Sequence, residues 1–107
     1  MIEKGDKKME VKKASKMKIV RCNGSGVWAG EVASQDGDTA VLKNAIRIWK
    51  WEGAASLSEL AVSGTKMAVN CKFCIPVDEV EVFNVLEIIK CTAAAEVSIR
   101  GVKTWTA

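Results

Sequence analysis

The chain contains no histidine, no tyrosine and a single proline among its 107 residues. Each absence removes something. Without histidine, the usual switch between acid and base near neutral pH is gone, and so is the commonest nitrogen ligand for zinc. No glycine-rich phosphate loop and no nucleophile motif stand in for it, so an enzyme is not expected. No apolar run approaches the length of a membrane span, which argues against an integral membrane protein. The opening stretch MIEKGDKKMEVKKASKM has no apolar core of signal-peptide type, and it carries acids and no arginine, unlike a transit peptide. The expected location is cytoplasmic. No cofactor is called for.

The formal charge of +3 belongs to one end of the chain. Residues 1–16 hold six lysines against three acids, and the remainder, with ten of each sign, is neutral. The expected organisation is a basic arm or upstream extension over 1–16, with Met17 an alternative start, followed by one β-rich domain over 17–107. A neutral body lacks the electrostatic footprint of a dedicated nucleic-acid binder.

Four cysteines in such a compartment are expected to be reduced. Cys71 and Cys74 form CKFC, while Cys22 and Cys91 stand apart. One close pair without histidine is a poor zinc site. Pro76 blocks the helix that a thioredoxin-like pair would need. The four are read as small buried hydrophobes, with no metal site.

Strand periodicity runs through 17–24, 27–34 and 39–44, and again through 45–51 after a bend at Asn44. Asp36-Gly37 marks a hairpin turn. Ser56 followed by Glu59 is a capping box, opening a short helix that Gly64 ends. Val80 and Val82 are expected to face inward from a strand with Glu79 and Glu81 outward. Residues 84–91 are another strand, or the same one continued past a bulge near Asn84. Thr92 caps a second short helix over 93–100, stopped by Gly101. The segment 65–73 is not legible. Five to seven strands with one or two helices, and no βαβ alternation, predict a mostly β or α+β domain built on a small antiparallel curled sheet or partial barrel.

Within AIRIWKW, alternation puts Arg47, Trp49 and Trp51 on one face. Indoles offer flat surfaces and arginine offers anion contacts, so the three could form a ligand shelf. They could equally be an oligomer interface, since Trp and Arg are enriched at binding hot spots. The structural alternative is that Trp49 is core and Arg47 pairs with a carboxylate such as Glu31. Trp28, on a neighbouring strand, joins the candidate surface. Ser56 and Ser58, at the start of the first helix, could hold an anion on backbone amides, although Glu59 brings negative charge to the same place. The alternating acids of VDEVEV read as a solvated face.

The run NAIRIWKWEGAASLSELAVSG resembles the central block NARRIWxWxGAxSLSxLAxxG of a family of small proteins found mainly in tailed bacteriophages and prophages. CKF at 71–73, Glu87 and Trp105 continue the match. Ile46 replaces the first of the family's paired arginines, and Cys74 stands where proline is common. The resemblance implies a phage-encoded accessory protein of the infected host's cytoplasm. It implies no reaction.

Three functions fit these residues. One is a homo-oligomeric binding or scaffolding module acting through the Arg/Trp surface on itself or on a host or phage protein. The second is a sequestering binder of a small anionic, nucleotide-type ligand, serving against host defences. The third is nucleic-acid binding by the basic arm, which the neutral body argues against.

Overall fold

The computed structural model describes residues 15–107, and the basic arm of the sequence reading lies outside them up to residue 14. Three strands open the fold as an antiparallel meander: β1 (Met17–Cys22), β2 (Gly26–Asp36) and β3 (Thr39–Lys50). Helix α1 (Leu57–Ser63), a 3-10 turn (Ala68–Asn70) and the two-residue strand β4 (Lys72–Phe73) follow. Strands β5 (Val77–Val82) and β6 (Val85–Lys90) and helix α2 (Ala93–Arg100) complete it. Among the described residues the sheet has six strands, all paired antiparallel, and is not closed. β4 and β5 share the outer side of β3, against its last and first halves respectively, while β6 lies outside β1.

Two residues, Phe83 and Asn84, carry the chain from one edge of the sheet to the other. Asn84 takes a left-handed backbone angle of 58° to do so, a conformation asparagine tolerates better than most residues. Its carbonyl accepts the Asn23 N–H at 2.9 Å, and the Val85 N–H reaches Asp38 O at 2.9 Å. At this corner the two edges are drawn together, which curls the sheet. The expected curled antiparallel sheet with two short helices is therefore the observed one.

Both faces of the sheet are buried. The helices cover one face, where Met17, Ile19, Ile46, Ile48 and Phe73 meet Leu57, Leu60, Ala95 and Ile99. The other face lines the inside of the curl, with Val20, Trp28, Leu42, Ala45 and Val82. Val80 and Val82 point inward as expected, with Glu79 and Glu81 exposed.

The strands expected separately over 39–44 and 45–51 are one strand, β3, with a bulge inside it. In a regular strand Ala40, Leu42, Ile46 and Ile48 would share a face, because side chains alternate with period two. Here Ala40 and Leu42 enter the curl while Ile46 and Ile48 meet the helices. The register explains the switch. Ala29 opposes Ile46 but Glu31 opposes Lys43, so one extra residue is accommodated opposite Gly30. Asn44 occupies it with a φ of 49°, and its carbonyl accepts a hydrogen bond from Arg100 Nη2 at 2.9 Å. Gly30 suits the close approach, since a Cβ there would stand 3.0 Å from both Ala45 Cα and Lys43 O and would push on the facing backbone. The bulge also sends Arg47 to the face of the curl.

The helices form as their caps predict. Ser56 Oγ accepts the Glu59 N–H at 3.1 Å, and Glu59 Oε1 accepts the Ala55 N–H at 2.6 Å, so the box closes one residue earlier than its usual form. Thr92 Oγ1 accepts from Ala95 N at 3.0 Å and donates to Val62 O at 2.7 Å. One hydroxyl thus starts α2 and satisfies the end of α1. No helix among the described residues is long and apolar enough to cross a membrane.

Candidate functional site

Trp28 and Arg47 are direct partners across the β2–β3 pair. Both lie on the curl face, and the guanidinium carbon sits 4.1 Å from the indole centre. Trp28 is only 5% exposed, so this contact is partly desolvated and stabilises by about 0.5–2 kcal/mol. Arg47 Nη1 donates to Ser25 O at 2.6 Å, and Trp28 Nε1 donates to Ser25 Oγ at 3.4 Å. The turn between β1 and β2 therefore clasps both side chains. The expected pairing of Arg47 with Glu31 does not occur, because Glu31 lies beyond the bulge, opposite Lys43. Among the described residues the Arg47 guanidinium forms no ion pair.

Trp49 is not core: it is 65% exposed. The buried indole is Trp28, which packs in the curl with Val20, Leu42, Ala45 and Val82, a cluster that Trp49 does not join. Trp49 instead stacks with Trp105, their ring centres 6.2 Å apart and planes 22° from parallel. Strand β4 makes this meeting possible. It pairs with β3 at Ile48, and on its other side Phe73 O accepts the Trp105 N–H at 2.9 Å in a short parallel bridge. The Lys72 ammonium stands 5.1 Å from the Trp105 ring centre. Ile75, 63% exposed, and Cys74 line a groove of about 370 Å³ against Trp105–Ala107.

Trp51 lies past the end of β3, partly buried against the helix-side core. The three residues that alternation put on one face thus have three neighbourhoods: Arg47 in the curl, Trp49 on an outer shelf, Trp51 against the core. Ser56 and Ser58 are exposed, and Ser56 is engaged as the cap of α1, with the Glu59 carboxylate at the same end.

The loop joining β3 to α1 is held from behind. Thr65 Oγ1 donates to Glu52 O at 2.5 Å, and Lys66 N–H reaches Gly53 O at 3.1 Å. The Cys71 thiol lies within 3.5 Å of Glu52 O and of the Glu52 N–H. Glu52 bridges Lys50 at 3.1 Å and accepts from Asn70 at 3.2 Å, and the Lys50 hydrogen bond and charge hold its carboxyl below the usual carboxylate range. Cys71 thus belongs to a polar clasp at the border of the core.

A family model matches residues 15–99, most of the described body. The chain belongs to DUF6948, a domain of unknown function. No curated protein and no solved structure matches it. Within this DUF6948 domain, the block around Asn44–Gly64 divides between the bulge, the Arg47 clasp, the loop clasp and the cap of α1. The sequence singles out none of Ser25, Ile75 and Phe83, and Lys72 and Trp105 enter it only through the family match. All five reach the site across the sheet or through the short β4 bridge, a pairing that periodicity does not encode. Only the Asn23–Gly26 turn carries a signal, because it falls where the strand periodicity over 17–24 gives way to that over 27–34.

Among the described residues of the DUF6948 domain no three His, Cys, Asp or Glu side chains gather as a metal set. Burial, with the nearby Glu96 carboxylate, pushes the Cys91 thiol up to about 11. The folded state then favours the protonated thiol. Its contribution to stability is complete below the ordinary thiol range and is lost as pH rises through about 11, because the unfolded chain gives up that proton earlier. Near neutral pH Cys91 is therefore held as the thiol and not as the reactive thiolate. Peptide mapping after brief iodoacetamide treatment should find Cys74 labelled first and Cys91 last. Rapid labelling of Cys91 in folded protein would show that its burial is wrong.

Proposed function

We propose that this protein is a non-enzymatic, phage-encoded binding module that self-associates through the Trp49–Trp105 shelf. The observation that carries it is the exposure of a stacked tryptophan pair, continuous with Ile75, on a neutral body. Large aromatic faces left in water cost free energy that a partner surface recovers, and tryptophan dominates such contacts. A two-fold arrangement would bring each shelf against its copy, burying both pairs with one self-complementary patch. The phage assignment rests on the central block NAIRIWKWEGAASLSELAVSG. The non-enzymatic reading is supported by the structural use of the polar groups near the site: Arg47 holds a turn, Ser56 caps a helix, and Cys71 closes a loop.

The test is light scattering during gel filtration, at protein concentrations from about 1 to 100 μM, the range of ordinary self-association. The wild type should elute as a dimer or larger closed oligomer. Trp49→Ala should elute as a monomer while losing less than about 1 kcal/mol of stability, since an exposed indole contributes little to the fold. A monomeric wild type over the whole range, or an oligomer indifferent to Trp49→Ala, would remove this reading.

A further inference from the structure

A second feature lies at the curl, where Trp28 and Val82 are buried. A cleft of about 300 Å³ opens between the β1–β2 turn and the β5–β6 turn, with Asn23 and Ser25 on one wall, Phe83 and Asn84 on the other, and Trp28 and Arg47 beneath. The two walls are tied together by the Asn23 N–H to Asn84 O hydrogen bond. We propose that this cleft binds one anionic oxygen group, a carboxylate or a phosphate monoester, carried on a small flat apolar body.

Four observations lead there. Arg47 brings a full positive charge to the cleft, and among the described residues no carboxylate pairs with it. It is also held in place before any ligand arrives, by Trp28 below and Ser25 O beside. A guanidinium has five N–H groups, and the described residues take a single hydrogen bond from this one, so its fork keeps donors for an anion. Being already fixed, it loses little freedom on binding, which is where much affinity for small ligands is otherwise lost. The side-chain amides of Asn23 and Asn84 flank it and hydrogen-bond to none of the described residues, while their backbones are fixed by the turns. Phe83 supplies the apolar surface: it is 55% exposed at the cleft wall. The exposed Glu81 also lines the cleft and brings a negative charge to it. Its carboxylate would repel a chain of phosphates, which turns the reading away from a polyphosphate nucleotide and toward a single anionic group.

The cleft and the shelf are separate sites, so failure of one leaves the other standing. The test is a titration of the ¹⁵N-labelled full chain with benzoate and, in parallel, phenyl phosphate, followed by NMR at the Trp28 indole and Arg47 Nε–H signals. Those signals should shift and saturate, with a Kd on the order of 1 mM or tighter for at least one probe. The tighter probe identifies the anion as carboxylate or phosphate. Arg47→Gln should weaken binding at least about tenfold, as expected for loss of a charge-assisted contact. Phe83→Ala, a change at an exposed ring that leaves the core intact, should weaken both probes several-fold, and it decides the matter if Arg47→Gln does not fold. Shifts that fail to saturate, that fall on surface lysines, or that survive both substitutions would overturn the proposal.

Discussion

Trp28→Ala is expected to be the most damaging single change in the chain, costing about 3–5 kcal/mol. The indole is 5% exposed and packs among Val20, Leu42, Ala45 and Val82, inside a curl that has no helix to close over a void. Removing it opens a cavity that Ala45 is too small to fill and that the stiff side chains of Val20 and Val82 cannot turn into. It also takes away the surface on which the Arg47 guanidinium rests. A domain of this size has roughly 5–15 kcal/mol of stability in all, so much of the margin would go. Thermal and urea unfolding of Trp28→Ala and Trp49→Ala side by side measure the contrast. The first should lose on the order of 15–30 °C in Tm and the second only a few degrees. Equal losses would mean that the two indoles are not divided between core and surface in this way.

The second large effect is expected at the end of α1. Gly64 has φ 75° and ψ −159°, a combination that is essentially reserved for glycine. A Cβ added there would stand 2.3 Å from Ser98 Cβ and 2.4 Å from Ser98 Oγ, on the facing helix. Backbone strain and collision act together, so Gly64→Ala should cost about 3 kcal/mol or more. Ser98 cannot simply turn away, because its hydroxyl accepts the Thr65 N–H at 3.0 Å. The double variant Gly64→Ala with Ser98→Gly removes the collision and leaves the strain. Its stability loss should be clearly smaller than the sum of the two single losses. Additive losses would place the effect in the backbone alone and exclude helix–helix contact as its cause.

These two positions show different degrees of legibility. Gly64 could be read as a helix stop, since a capping box, an apolar stripe and a glycine follow one another within nine residues. The same local grammar marks Thr92 and Gly101 around α2. Val80 and Val82 against Glu79 and Glu81 is a plain two-residue alternation, and it was realised. What α1 and α2 do to each other was not readable. The Thr92 hydroxyl closing α1 and Ser98 pressing on Gly64 join residues some thirty positions apart.

Chain-local forces, then, determined the strands, the caps and the class of fold: alternation, turn chemistry and hydroxyl capping act within a few residues and are written in order along the chain. Only the tertiary structure decided which tryptophan is buried, what Arg47 touches and where Trp105 goes. The physical reason is the bulge at Asn44. One extra residue reverses the facing of everything after it in β3, and the position that accommodates it is chosen by Gly30 on the neighbouring strand and Arg100 on the last helix. Beyond that bulge, periodicity within AIRIWKW still says which residues share a side. It takes the folded sheet, with β4, the Asn23–Gly26 turn and the Phe83–Asn84 corner around it, to say what each side meets.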